Sequence, residues 1–167
     1  MLDSADHFDR LRLIRSPNIG PVTYRQLLSR FGSATAAIAA LPDLVVRGGG
    51  SKTTLADLRA IEREMAATSA LGASYLFIDD AGYPELLTHL DNAPPVFIYR
   101  GNIGLLSRNP VAMVGARNAS AGACRFARTL AYELGQAGLA VASGLARGID
   151  TAAHAGSIDS GTIAVIA

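Results

Sequence analysis

The 167-residue sequence contains one cysteine, Cys124, and no tryptophan, and aromatic residues make up 6% of it. A lone cysteine supports neither a disulfide framework nor a thiolate metal site, so we expect Cys124 to be an ordinary core or surface thiol. No stretch approaches the roughly 20 consecutive apolar residues of a membrane span, and the first residues are acidic where a signal peptide would be basic. We therefore expect no membrane contact and a cytoplasmic location.

A large charge of either sign is also absent, since the formal net charge is +1. This balance argues against binding of polyanions through bulk charge. The charges are unevenly distributed, however. From Arg100 onward there are six arginines and three acidic residues, whereas the preceding ninety-nine residues hold nine basic and eleven acidic ones. Any anion-binding site is therefore expected in the second half of the chain.

The first part of the chain has the pattern of a small helical domain. Apolar residues recur at helical spacing in four segments, residues 6–14, 23–31, 34–41 and 55–71. Gly32 is predicted to close the second helix and Pro42 to stop the third. For the fourth helix, we predict a cap at Thr53 or Thr54 and an inward face of Leu58, Ile61, Met65 and Leu71.

Residues 16–21, between the first two helices, resemble the turn of a helix-hairpin-helix element. In such elements, backbone amides at the start of the second helix hold a DNA phosphate. Asn18 stands where the pattern usually has glycine, and asparagine enters the left-handed conformation more readily than most residues. The same hairpin also occurs as a plain packing unit, and the sequence leaves both interpretations open.

A glycine-rich stretch at residues 47–53 has part of a phosphate-loop pattern. A phosphate loop needs glycine directly before its lysine, but Ser51 separates Gly50 from Lys52. We therefore interpret this stretch as a flexible turn that leads into the fourth helix.

After residue 71 the pattern changes to that of an α/β domain. Strands are predicted at residues 75–78 and 96–99, with a short helix at residues 85–90 between them. Three further apolar runs, residues 111–114, 139–143 and 162–166, alternate with helices, which is typical of a parallel sheet. The sequence predicts two domains: a helical domain at residues 1–71 and a Rossmann-like α/β domain at residues 72–167.

The first two of these later strands each end in a glycine-containing turn that carries an arginine. Right-handed crossovers bring such turns to one carboxyl edge of the sheet. A helix N-terminus favours a phosphate there, and an arginine can grip two phosphate oxygens. The predicted nucleic-acid-binding residues are Gly115, Ala116, Arg117, Ser120, Ser143, Gly144, Arg147 and Gly148.

Asp150 and His154 are possible supporting residues of this edge. Asp150 is interpreted as a helix cap in preference to a catalytic acid, while His154 is either a packing residue bonded to a backbone carbonyl or a ligand contact. Asn118 or Ser120 is expected to cap the helix after the first glycine turn. The apolar face of that helix is predicted to consist of Phe126, Leu130 and Leu134, with Ala127 and Ala131 beside it.

Few aromatic residues are available for stacking on bases. After Gly101 only Phe126 and Tyr132 occur, both on the predicted helix. Stacking platforms for single strands usually use aromatics, so binding should follow the backbone and depend little on base sequence. No paired acid with a metal-ligand set and no nucleophile beside a base stand at recognisable spacing, and we predict no cofactor and no metal.

Five segments carry a resemblance to a known family: residues 82–87, 94–102, 114–120, 143–154 and 161–165. In this order and spacing they resemble the DNA processing protein A family, DprA, also called Smf. The resemblance implies a helical domain of sterile-alpha-motif or helix-hairpin-helix type followed by an extended Rossmann-like domain. It further implies that the protein binds single-stranded DNA, dimerises when full length, and hands the strand to the RecA recombinase in natural transformation.

The sequence departs from the family pattern in three places. Ala116 stands where many relatives have serine or threonine, and Gly122 lies one place earlier than usual, which leaves the helix start uncertain by one residue. The last apolar run has no helix after it, so we expect the chain to be the first part of a longer Rossmann-like sheet. The leading hypothesis is a non-enzymatic DNA-binding protein that loads RecA. The alternative is a Rossmann-like enzyme that acts on nucleoside monophosphates.

Overall fold

The computed structural model describes residues 4–47 and 54–166. The chain divides into two compact units, which meet in sequence between Gly101 and Asn102. The glycine-rich stretch at residues 48–53, including the predicted cap Thr53, lies outside the described residues. Within the described ranges, no helix has both the length and the apolar character that crossing a membrane requires.

Four helices open the first unit, as the sequence predicts. Their bounds are α1 Ser4–Arg15, α2 Pro21–Phe31, α3 Ala34–Arg47 and α4 Leu58–Ala70. Neighbouring residues of α1 serve two clusters: Leu13 packs with α2 and α3, whereas Leu11 packs against Ile61 of α4.

The turns that bound α2 have the predicted backbone conformations. Asn18 has φ 65°, and Gly32 at the end of the helix has φ 77°. Both angles lie in the left-handed region, which asparagine and glycine enter more readily than other residues. These residues therefore help to set where α2 begins and ends.

The helical prediction is wrong in detail for α3 and α4. Pro42 does not stop α3, which continues to Arg47 and packs Leu44 against the cluster around Leu13. Burial of apolar residues beyond the proline thus outweighs the backbone hydrogen bond that proline cannot form.

The cap of α4 is Asp57, whose Oδ2 accepts a hydrogen bond from the Ala60 amide at 3.0 Å, and not Thr54. The helix therefore begins three residues later than predicted. Ile61 is 2% exposed, but Leu58 and Leu71 are 46% and 64% exposed, so these two do not face inward.

A two-stranded hairpin completes the first unit. Strands β1 Ser74–Phe77 and β2 Val96–Tyr99 pair antiparallel, with the short helix α5 Glu85–Thr88 between them. Phe77 is fully buried in the cluster with Leu11 and Ile61. The hairpin thus packs with the helical residues, and the domain boundary at residue 71 remains a prediction.

The second unit is a three-stranded parallel sheet with two helices, and it confirms the predicted α/β class. A 3₁₀ helix, Ile103–Ser107, precedes the alternating elements. These are β3 Pro110–Ala112, α6 Ala121–Gln136, β4 Ala140–Ser143, α7 Ile149–Ser157 and β5 Thr162–Ala164. The strand order is β3-β4-β5, and Val141 in the centre pairs with Val111 on one side and Thr162 on the other.

Small residues set the packing of α6. Its buried residues are Ala127, Ala131 and Gly135, while Leu130 and Leu134 are partly buried against the cluster around Val141. Phe126 is 70% exposed, so its predicted place on the apolar face is wrong. The reason is close packing of α6 on α7: a Cβ on Gly156 of α7 would lie 3.0 Å from Cβ of Ala131. The contact face has no room for a phenyl ring.

Candidate nucleic-acid interface

The two glycine turns lie side by side, as the sequence predicts. We call residues 114–119 the first loop and residues 144–148 the second loop. Parallel pairing of β3 with β4 extends to Met113, whose amide donates to the Ala142 carbonyl at 2.9 Å. Beyond the strands, the Ile149 amide donates to the Ala116 carbonyl at 3.3 Å. The start of α7 is thereby bonded to the first loop.

Two glycines make this contact possible. A Cβ on Gly115 would lie 2.6 Å from Cγ1 of Ile149, well inside the van der Waals distance. Gly148 has φ 86°, and a Cβ there would lie 2.7 Å from the Arg117 carbonyl oxygen. Both positions therefore need glycine: a Cβ on Gly115 would collide with the Ile149 side chain, and one on Gly148 would collide with the backbone of the first loop. This structural reason requires no ligand.

Ser120 caps the helix that follows the first loop. Its Oγ accepts a hydrogen bond from the Ala123 amide at 3.1 Å, and α6 begins at Ala121. This settles the choice between Asn118 and Ser120 and the uncertainty about the helix start. Ala116, Arg117 and Ser120 are exposed, so the first loop presents its arginine at an open surface next to the N-terminus of α6.

Ser143 is buried and joins the two strands. It is 4% exposed, and its hydroxyl donates to the Met113 carbonyl at 2.7 Å. The Ser143 hydroxyl therefore already donates its hydrogen bond inside the protein. Of the predicted binding residues, Ser143 is thus one that holds the ends of the two strands together.

Asp150 holds the second loop. It lies in the first turn of α7, 6% exposed, and its Oδ2 accepts hydrogen bonds from the amides of Gly144 at 3.2 Å and Ala146 at 3.3 Å. Asp150 is therefore not the N-cap of α7; that position is Gly148, which has no side-chain cap bond. The carboxylate instead accepts hydrogen bonds from two loop amides, and it lies beside a helix N-terminus, where a negative charge is favoured.

His154 links α7 to the sheet. It is 8% exposed, and its Nδ1 lies 2.7 Å from Oγ1 of Thr162. The Thr162 hydroxyl is also within 3.2 Å of the Val141 carbonyl, to which it donates. The observed partner of His154 is thus a threonine hydroxyl and not the predicted backbone carbonyl, and a ligand contact by this residue stays a prediction.

The exposed charge at this edge is positive. Arg117 and Arg147 are exposed, and neither has a carboxylate within 4.0 Å among the described residues. Asp150, the acidic residue nearest to Arg147 in sequence, is buried beneath the second loop. In the described ranges, His, Cys, Asp and Glu side chains form no group of three that could hold a metal ion.

Sequence reasoning missed Leu145, which is 56% exposed at the centre of the second loop and has φ 56°. A leucine rarely adopts a left-handed backbone conformation, so its sequence carries no signal for one. Val114, 84% exposed in the first loop, is a second apolar side chain in this region.

Together, the parallel sheet and its paired glycine loops define a Rossmann-like protein with a candidate anion-binding edge. Residues 74–167 match the family model described as DNA recombination-mediator protein A, and residues 4–67 match the DprA-like N-terminal HHH domain. The chain belongs to the DNA recombination-mediator protein A family, which confirms the family predicted from the sequence motifs.

Two relatives and one solved structure illustrate the similarity. The DNA processing protein DprA of Streptococcus pneumoniae is 40% identical over 95 residues, 56% of this chain and 33% of that protein. The Bacillus subtilis protein of the same name is 34% identical over 110 residues, 64% of this chain and 37% of that protein.

The X-ray structure of the S. pneumoniae protein superposes with a TM-score of 0.68 at 27% identity, and the match covers 96% of this chain and 57% of that one. The chain thus spans about a third of the length of these two relatives and 57% of the solved structure.

Proposed function

We propose that the joined glycine loops bind the sugar-phosphate backbone of single-stranded DNA, and that the protein delivers this strand to the RecA recombinase. The observation that carries the proposal is the position of Arg117 and Arg147, two exposed arginines that have no acidic partner among the described residues. Their loops are held together where the Ile149 amide, directly after the second loop, donates to the Ala116 carbonyl of the first. A guanidinium binds phosphate oxygens as a planar fork, so two of them suit successive phosphates of one strand.

The first loop supplies the stronger part of the proposed phosphate site. It combines Arg117 with the N-terminus of α6, where Ser120 satisfies the Ala123 amide and leaves the preceding amides of the helix for another acceptor. In the second loop, the amides of Gly144 and Ala146 are already bonded to Asp150. The second loop therefore contributes mainly through Arg147.

Family membership supports a role in DNA recombination, because the matching model is described as a recombination mediator and the relatives as DNA processing proteins. Loading of RecA and dimerisation are properties that the resemblance implies for the full-length protein, and they belong to the proposal. The protein would act without catalysis. In the alternative, a nucleotide-metabolising enzyme, Asp150 would be the acid, but its buried bonds to the loop amides favour a structural role.

Fluorescence anisotropy of a labelled oligothymidylate, measured over a range of salt concentrations, tests the binding site. Arg117→Ala and Arg147→Ala should each weaken binding about tenfold and reduce the salt slope by about 0.7 per lost phosphate contact. Arg128→Ala is the matched control, because it removes the same charge from an exposed position on α6. Unchanged affinity and salt slope in Arg117→Ala would refute the proposed site.

A second assay addresses delivery to RecA. On DNA covered by single-strand-binding protein, RecA hydrolyses ATP only after a lag, and a mediator should shorten it. The wild-type protein should shorten this lag, and Arg117→Ala should do so only at higher concentration. If the protein binds DNA but leaves the lag unchanged, the DNA site stands and the RecA part of the proposal is wrong.

A further inference from the structure

Leu145 combines two unfavourable features at the proposed binding edge. Its φ of 56° lies in the left-handed region, where a Cβ crowds the following carbonyl. Its apolar side chain is also 56% exposed, so burial in the protein core does not compensate for the backbone conformation. Outliers of this kind persist only when surrounding contacts enforce them, and they concentrate at functional sites.

The enforcing contacts lie on both sides of Leu145. Asp150 accepts hydrogen bonds from the amides of Gly144 and Ala146, the two residues that flank it. The Ala146 carbonyl in turn accepts from the Thr151 amide at 3.1 Å and from the Thr151 hydroxyl at 2.8 Å. Four hydrogen bonds from the first turn of α7 thus hold the segment that displays Leu145.

Leu145 lies next to the residues of the proposed phosphate site. It lies two residues before Arg147 on a loop that is bonded, through Ile149, to the backbone next to Arg117. Phosphates held by these arginines would bring their sugars and bases to the same edge. The aromatic side chains of this unit, Phe126 and Tyr132, lie on α6 and not on the loops. Leu145 therefore offers an apolar surface to a base, as inserted leucines do in other DNA-binding proteins.

We propose that Leu145 is a base-contacting residue: its side chain packs against a nucleobase of the strand whose phosphates Arg117 and Arg147 hold. The inference rests on the proposed DNA binding. It adds a contact that reads no sequence, because every base offers an apolar face. Asp150 and Thr151 are positioning residues that hold Leu145 in place.

Two substitutions separate the side chain from the backbone conformation. Leu145→Gly removes the side chain and relieves the strain, and Leu145→Asn keeps a residue that tolerates φ above zero but has little apolar surface. Both variants should bind oligothymidylate about tenfold more weakly than wild type, the loss expected for one buried leucine. The thermal midpoint should stay the same or rise in Leu145→Gly. Ile158→Ala, which shortens another exposed apolar side chain, is the control and should bind normally.

An abasic oligonucleotide of equal length tests the base contact directly. It keeps the phosphates but has no bases, so wild type and Leu145→Gly should bind it equally. Normal oligothymidylate binding by Leu145→Gly would overturn the inference, and so would an equal loss on the abasic strand. Weaker binding by Leu145→Gly but not by Leu145→Asn would assign the effect to the order of the loop, which also overturns the inference.

The Arg117→Ala variant separates this inference from the proposed function. If Arg117→Ala binds normally, the proposed function itself fails. If Arg117→Ala binds weakly and Leu145→Gly binds normally, only this inference fails.

Discussion

The Ala116 carbonyl accepts a hydrogen bond from the Ile149 amide at 3.3 Å, and this bond connects the first loop to the start of α7, thirty-three positions later in the sequence. It requires glycine at position 148, where the second loop passes directly over the backbone of the first. The proposed phosphate site therefore depends on backbone contact as much as on its arginines.

Substitution of Gly148 by alanine should destabilise the protein by about 3 kcal/mol or more, because the new Cβ would meet the Arg117 carbonyl and the residue must also keep a positive φ. Gly138→Ala is a matched control: its φ of 84° is nearly the same, but a Cβ there meets nothing within 4 Å. The control should cost about 1–2 kcal/mol. Urea unfolding measures both, and equal losses would show that the loops are not in contact.

Removal of the Asp150 side chain should loosen the second loop. Asp150→Ala leaves the amides of Gly144 and Ala146 without their acceptor, at a cost of about 1–3 kcal/mol. Asp150→Asn keeps a carbonyl oxygen in the same place and should retain most of the stability. Hydrogen exchange at the two amides distinguishes the variants: protection should be lost in Asp150→Ala and kept in Asp150→Asn. Equal protection in both would mean that Asp150 does not hold the loop.

Substitutions at two residues of α4 test which side of that helix faces the core. Ile61 is 2% exposed and should cost about 2–5 kcal/mol when replaced by alanine, because the cavity lies beside Leu11 and Phe77. Leu58→Ala, at a position 46% exposed on the same helix, should cost less than about 1 kcal/mol. Unfolding monitored by circular dichroism compares them. Similar losses of stability at both positions would mean that Leu58 faces inward, as the sequence predicted.

Tyr24 should make the free energy of unfolding decrease as the pH rises in the alkaline range. Its hydroxyl is fully buried without a hydrogen-bond partner in the described part of the chain, and burial raises the pKa of Tyr24 well above its ordinary value of 10.0. Above about pH 10 the unfolded chain loses this proton and the folded protein keeps it, so the free energy of unfolding falls as pH rises. Below that pH the group is neutral in both states and has no such effect.

Tyr24→Phe should therefore be as stable as wild type at pH 7, or up to about 1 kcal/mol more stable, since it removes an unpaired buried hydroxyl. Between about pH 9 and pH 11 it should lose less stability than wild type. Tyr132→Phe, at a position 56% exposed, is the control. Parallel pH profiles for wild type and Tyr24→Phe would contradict the prediction.

Local sequence signals predicted the features that depend on backbone conformation or on a regular pattern. Asn18 and Gly32 adopt the left-handed conformations expected of their residue types, and alternating apolar runs and glycine turns correctly indicated a parallel sheet with adjoining loops. Ser120 was one of two predicted caps, and it forms the cap bond. These signals work because they act between residues close in sequence.

Partners chosen by packing were not predictable in the same way. Phe126 has the helical spacing of a core residue but is exposed, because α6 approaches α7 through alanine and glycine. Asp150 has the position of a helix cap but bonds to a loop that precedes it in the chain. Which groups Asp150 bonds to depends on where the second loop lies in the folded protein.

The sequence by itself determined the family and the α/β class, because periodicity and glycine turns specify strands and their ends, and it predicted that the turns carrying Arg117 and Arg147 lie at one edge of the sheet. Only the tertiary structure decided which side chains at that edge are free. It buried Ser143, Asp150 and His154 in internal hydrogen bonds and exposed Leu145 in a conformation that leucine alone would not adopt. The reason is that hydrogen bonds between elements, such as those that Asp150 of α7 accepts from the second loop, outweigh the local conformational preference of a single residue.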